Sequence, residues 1–319
     1  MTPFSIQPQA SQVTPKGLAL LFTAASFAGA FLIFLVQPLV GKQILPWFGG
    51  GPGVWTTCLM FYQSMLFVGY LYAYGIVRFL SQRSQVLIHG SLIILALANL
   101  PVLPQDHWKP TGTESDPALL ILGMLLSNVG LPFAILAATG PLVQTWFSRC
   151  YPDRSPYPLY AVSNLGSLSA LLCFPLLVEP LLPMRDAASV WSAGFGFAAL
   201  IILGCAFMAM RATGAQPGAP SPLEAALESE DTKEEPSTYL LWLLLPATAV
   251  ILLLAITNKL CLDLASFPFL WIVPLGLYLG SFILSFASDA GYNRVLWSGI
   301  ALVSLLIKYG LVLLLPTGS

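Results

Sequence analysis

The segment PYPLYAVSNLGSLSALLCFPLLVEP, residues 156–180, combines the length of a membrane span with polar groups inside it. A bilayer core is crossed by ~20 mostly apolar residues in a helix, and this segment supplies them. Asn164 and Glu179 are costly in hydrocarbon unless a neighbouring helix or water satisfies them. Gly166 and Ala170 are four residues apart, the spacing at which membrane helices approach one another closely. The segment therefore predicts a transmembrane helix packed inside a bundle.

The composition of the whole chain agrees with a membrane protein. Its 319 residues are 57% hydrophobic and 8% charged, with a mean hydropathy of +0.81. Soluble domains carry about 25% charged residues. Residues 211–237 hold six acidic residues against Arg211 and Lys233, and the rest of the chain carries a net charge of +3. Without a basic arm, nucleic-acid binding is not expected.

Hydropathy divides the chain into nine apolar segments, most of them as long as a bilayer-spanning helix. The predicted fold is therefore an all-α integral membrane protein, a polytopic helix bundle of about nine spans. A major-facilitator-like six-helix half followed by an incomplete second half would give this layout. The predicted spans cover residues 17–40, 56–80, 85–103, 118–139, 157–182, 187–210, 238–258, 269–287 and 294–315.

Four regions follow from these spans. Lys and Arg residues in the short connections favour a cytoplasmic N-terminus, with eight on the inner side against four on the outer side. The acidic, Pro-rich composition between the sixth and seventh spans is typical of a disordered linker. The regions are a cytoplasmic N-terminal tail (1–16), a six-span membrane bundle (17–210), the acidic cytoplasmic linker (211–237) and three further spans of an incomplete second bundle (238–319).

Four polar side chains in or beside the spans are candidate cavity or substrate-binding residues. Asn128 lies close to Gly130 and Pro132, which loosen a helix, and broken helices at membrane depth often border transport sites. The alternatives are structural: Gln63 and Asn128 could equally form interhelical hydrogen bonds. Glu179 could be solvated near the outer surface. The four candidates are Gln63, Asn128, Asn164 and Glu179.

Other ionisable residues give weaker signals. Lys259 and Asp263 have the i,i+4 spacing of a helical ion pair. Lys308 is the only basic residue well inside a predicted span, where it would extend to the interface or pair with an acid. The five cysteines form no CxxC pair and the two histidines are isolated, so no disulfide framework, metal site or cofactor is predicted. No set of residues with catalytic spacing is visible either.

Three blocks of sequence resemble a known family. They are LVQPLVGKQILPWFGGGPGVWTTCLMFYQSMLFVGYLYAY at residues 35–74, GLPFAILAATGPLVQTWFSRCYPDRSPYPLYAVSNLGSLSALLCFPLLVEPLL at 130–182 and FPFLWIVPLGLYLGSFILSF at 267–286. In these blocks the chain resembles the membrane domain of bacterial fused major-facilitator/spermidine-synthase-like proteins. The resemblance implies a multi-pass protein of the bacterial cytoplasmic (inner) membrane and a C-terminal synthase-like domain.

That synthase-like domain is missing from the chain. No glycine-rich strand–turn–helix motif and no acidic diamine-binding loop occurs in it, so aminopropyl transfer is not assigned to these 319 residues. The chain is therefore expected to be a fragment or a truncated product.

Three functional hypotheses remain. The leading one is a transporter-like membrane domain for a small polar or cationic metabolite, related through the family to polyamines. The alternative is a non-transporting anchor or scaffold for the missing synthase-like domain, and an intramembrane enzyme has the least support. The expected partners are the lipid bilayer, a small polar metabolite, and a synthase-like domain or second membrane subunit.

Overall fold

A computed structural model describes residues 16–49, 52–111, 117–215, 236–263, 272–287 and 293–314. Within these ranges the regular secondary structure is helical throughout, with no strand. Nine helices run through the described residues, and each corresponds to one of the nine predicted spans. They are α1 (Lys16–Phe48), α2 (Pro52–Phe79), α3 (Gln82–Ala98), α4 (Pro117–Cys150), α5 (Tyr157–Leu181), α6 (Met184–Ala215), α7 (Pro236–Asp263), α8 (Ile272–Ala287) and α9 (Arg294–Leu314).

Six of these helices (α1, α2, α4, α5, α6 and α7) are long and apolar enough to cross a membrane. The other three helices, α3, α8 and α9, are shorter in their apolar parts. Helix α3 has 17 residues and is about 25 Å long, which is less than the thickness of a typical hydrocarbon core. The prediction of an all-α membrane helix bundle is confirmed. The six-plus-three division of the bundle stays a prediction, and most of the predicted linker lies outside the described residues.

The two central helices are α1 and α4, and small residues let their neighbours approach them. A Cβ added at Gly166 of α5 would lie 2.5 Å from the carbonyl oxygen of Phe27 in α1. One added at Gly69 of α2 would lie 2.5 Å from Cβ of Ala137 in α4. Neither distance is possible for a real side chain, so glycine at these positions is required by the close backbone packing.

Helix α5 lies between α1 and α8. Its small residues Gly166, Ser167 and Ala170 are buried, as the spacing in the sequence predicted. On another side its Tyr160 contacts Phe286 of α8, with ring centroids 4.8 Å apart. One face of α5 therefore packs against the central helix and another supports the second group of helices.

Two spans contain a π-helical turn, Leu126–Gly130 in α4 and Phe174–Val178 in α5. In the first, the Ser127 carbonyl accepts a hydrogen bond from the Asn99 side chain at 2.8 Å, so the turn is tied to the end of α3. Such turns leave backbone groups outside the regular helical ladder. The local loosening predicted around Asn128 is thus present as a π-helical turn.

Candidate functional site

A buried polar cluster, which was not among the predicted sites, lies where α2, α3 and α4 meet. Gln82, Gln85 and His89 follow one another at i, i+3 and i+7, a spacing that places all three on one face of α3. They are 8%, 1% and 0% exposed. Further along α3 the buried face consists of apolar residues. The polar side chains that α3 directs into the bundle are therefore confined to the N-terminal half of this helix.

His89 occupies the deepest position of the cluster. Its Nδ1 lies 3.1 Å from the Tyr72 hydroxyl of α2, and the two rings stack with centroids 5.8 Å apart. The Trp146 ring of α4 contacts it edge-on, with centroids 6.0 Å apart. His89 Nε2 is buried and has no hydrogen-bond partner among the described residues. A buried polar atom left in this state costs about 1–3 kcal/mol.

Gln85 connects α3 to α4. Its Oε1 accepts a hydrogen bond from Trp146 Nε1 at 3.2 Å, and its Nε2 donates to the Leu80 carbonyl at 3.0 Å. Arg149, one turn further along α4, donates to Gln82 Oε1 and, at 3.4 Å, to Gln85 Oε1. Both amide oxygens are therefore used, whereas the buried Nε2 of Gln82 has no partner in the described part of the chain.

The cluster is suited to donating hydrogen bonds to a ligand. The unused amide donor is Gln82 Nε2, which lies beside the Arg149 guanidinium, whereas the Trp146 indole N–H already donates to Gln85 Oε1. Such a site fits a ligand or water with acceptor oxygens. It does not favour a cation, because a cation would lie beside Arg149.

A second polar feature lies at the opposite end of the bundle, where it connects two helices. Lys42 Nζ near the end of α1 lies 3.2 Å from Glu179 Oε1 near the end of α5, and the two side chains are 42% and 31% exposed. Both residues lie at the bundle end away from Arg149, since α1 and α5 run in the same direction from that end. The predicted candidate Glu179 thus belongs to an ion pair between two helices.

The other three predicted candidates do not form a common site. Gln63 is exposed on α2. The half-buried Asn128 amide donates to the Met124 carbonyl at 2.8 Å, and the half-buried Asn164 amide donates to the Tyr160 carbonyl at 2.8 Å. The amide nitrogen of each asparagine therefore donates within its own helix, and no hydrogen bond or ion pair within the described part of the chain joins any two of the four candidates.

The remaining predicted positions give less information. Lys259 is exposed on α7, while the side chains of Asp263 and Lys308 lie outside the part of the chain that can be described, so the ion pair and the intramembrane charge stay predictions. Among the described residues no group of three or more His, Cys, Asp or Glu side chains could hold a metal ion.

The missed cluster had a signal in the sequence. His89 appeared isolated because only one other histidine occurs, but Gln82 and Gln85 share its helical face. The α4 partners of Gln85 are Trp146 and Arg149, which lie 61 and 64 residues away in the sequence, beyond the reach of any local pattern.

No protein-family model, curated protein or solved structure shows a significant match to the chain, so the family resemblance of its three sequence blocks stays a prediction.

Proposed function

We propose that the chain is a transporter-like integral membrane domain for a small polar metabolite. The observation that carries this proposal is the buried cluster around His89, at the junction of α2, α3 and α4. Polar and ionisable groups inside a membrane bundle are costly, and where they occur they commonly belong to substrate or ion pathways. The π-helical turn in α4, one of the helices of this junction, adds the kind of helix irregularity that borders transport sites.

The composition of the cluster narrows the expected substrate. With the Arg149 guanidinium beside the unused Gln82 amide donor, a bound molecule is expected to present carboxylate, carbonyl or hydroxyl oxygens. A polyamine or another cation, the other class expected from the family resemblance, would need a different part of the bundle. Glu179 is the acidic candidate for that role, and Lys42 already neutralises it.

The location proposed is the bacterial cytoplasmic membrane with the N-terminus in the cytoplasm. The excess of Lys and Arg on that side of the short connections supports the orientation. In this arrangement Arg149 and Gln82 lie at the cytoplasmic end and the Lys42–Glu179 pair lies at the outer end. The resemblance to spermidine-synthase-like fusion proteins supports a synthase-like partner domain.

Uptake by proteoliposomes tests the transport proposal. The full chain is reconstituted and assayed with a panel of radiolabelled amino acids, hydroxy acids, sugars and diamines. We expect uptake of at least one oxygen-rich compound above protein-free vesicles, and His89→Leu or Gln85→Leu should reduce it about tenfold or more, the effect of losing one well-placed hydrogen bond.

The matched control for this assay is His107→Leu. His107 is the other histidine of the chain and is exposed in the connection between α3 and α4. The His107→Leu variant should leave uptake unchanged. Absence of uptake for the whole panel, or uptake that is indifferent to the His89 and Gln85 variants when both are folded, would contradict the proposal.

The second candidate function is a non-transporting anchor for a synthase-like domain. The local hydrogen bonds of Asn128 and Asn164 favour it, because an amide nitrogen that donates within its own helix is not free to bind a ligand. An anchor predicts that the polar residues affect folding alone. Co-expression with a spermidine-synthase-like domain, followed by measurement of its activity with and without the membrane chain, separates the two functions.

A further inference from the structure

The N-terminus of α3 lies at the same bundle end as Arg149. Ser81 caps this helix, with its Oγ accepting a hydrogen bond from the backbone N–H of Ser84 at 3.3 Å. The first N–H groups of a helix and its dipole make this end electropositive. A helix N-terminus alone does not define a site, but here a buried side chain adds to it.

Gln82, the first residue of α3, supplies an unused donor. Its side chain is 8% exposed, its Oε1 accepts from Arg149, and its Nε2 has no partner in the described part of the chain. Because Nε2 and Oε1 are bonded to the same carbon, the unused N–H groups lie next to the guanidinium. A buried donor beside a positive charge is the arrangement that an oxyanion satisfies.

The surrounding charge has the same sign. Residues 78–83 contain Arg78 and Arg83, and residues 149–157 contain Arg149 and Arg154 against the single acid Asp153. Arg78 and Arg83 are exposed on either side of the turn between α2 and α3. Basic positions between membrane helices commonly receive anionic head groups.

We propose that Gln82, Arg149 and the first turn of α3 form a binding site for a phosphate-type oxyanion. The anion accepts hydrogen bonds from the Gln82 amide and the Arg149 guanidinium, and the flanking arginines attract it. Its source is the head group of an acidic phospholipid or a free phosphate compound. The site does not depend on the transport proposed above, because it requires no passage through the bundle.

Thermal unfolding of the purified full chain in detergent tests the site, with phosphatidylglycerol, phosphatidylcholine or inorganic phosphate added. We expect phosphatidylglycerol or phosphate to raise the unfolding temperature with increasing concentration, and phosphatidylcholine to have a smaller effect. A response to lipid only identifies the head group as the source, and a response to phosphate identifies a free anion.

Substitutions at Gln82 decide whether the response belongs to this site. Gln82→Glu should raise the unfolding temperature without anion, since its carboxylate pairs with Arg149, and should abolish the response to anion. Gln82→Met should weaken the apparent affinity about tenfold by removing the donor. Arg185→Gln, at the opposite end of the bundle, should leave the response unchanged.

Three results would overturn the proposal. One is an unchanged unfolding temperature for the natural chain with either anion. Another is a full response in both Gln82 variants. The third is an equal loss in Arg185→Gln, which would show attraction by net charge alone. Because Gln82→Glu is expected to fold at least as well as the natural chain, its loss of response cannot be attributed to unfolding.

Discussion

At the scale of single residues, the ion pair between Lys42 and Glu179 links two helices that are distant in sequence. Its 3.2 Å separation is close, but both side chains are partly exposed. Solvent screening limits such pairs to about 0–1 kcal/mol. The pair therefore contributes more to which helix ends meet than to the free energy of unfolding.

A charge swap tests this pair. Lys42→Glu places two carboxylates together and should lower the unfolding temperature in detergent, whereas the double variant Lys42→Glu/Glu179→Lys should restore most of the loss. The local pair of Lys109 and Asp106, at 2.9 Å within one short segment, is the control, and its swap should have little effect. A double variant no more stable than Lys42→Glu would show that the two residues do not interact.

The residues of the two polar features differ in how far the sequence could predict them. Glu179 was expected near the outer surface, but only the packing of α1 against α5 brings it to Lys42. Gln85 and Trp146 are 61 residues apart and meet because α3 and α4 are neighbours. Hydropathy predicts that a residue lies in the membrane, but it does not predict which neighbouring helix that residue will contact.

At the scale of helices, the contact between α1 and α5 depends on Gly166. The 2.5 Å distance from an added Cβ to the Phe27 carbonyl oxygen involves backbone, which cannot rotate away. The small-residue spacing in the sequence predicted a close contact here, and the prediction is confirmed. The spacing could not identify α1 as the partner, because several helices of the chain carry small residues.

Gly166→Ala should destabilise the bundle by about 1–3 kcal/mol, the usual cost of overpacking. The matched control is Gly75→Ala in α2, where an added Cβ meets nothing within 4 Å. That change should be neutral or stabilising, since alanine favours a helix by about 1 kcal/mol over glycine. Thermal unfolding of both variants in the same detergent compares them, and an equal response would contradict the packing of α5 against α1.

Helix ends were predicted less well than the helices themselves. The third span was expected at residues 85–103, whereas α3 covers Gln82–Ala98. Pro101 disfavours a helical conformation of Leu100, and Ser81 provides an N-cap before Gln82. Hydropathy alone includes the apolar residues that follow Ala98 and excludes the polar Gln82, which belongs to the proposed oxyanion site.

At the scale of the whole molecule, two polar regions lie at or near opposite ends of an apolar core. The cluster around His89 extends inward from the Arg149 end, and the Lys42–Glu179 pair joins the other end. A transporter has to open the buried cluster to water during part of its cycle, and an anchor does not. A minor open state populated at only ~0.1–10% is sufficient for chemical labelling.

The most direct measurement is therefore the reactivity of Gln85→Cys in membranes towards a membrane-impermeant thiol reagent. Cys205, a buried residue of α6, is kept as the internal reference, and the other four natural cysteines are replaced by alanine. A transporter-like domain predicts that the cysteine at position 85 is labelled at least about tenfold faster than Cys205, through the open state. Labelling as slow as that of Cys205, in a protein shown to be folded, would contradict transport.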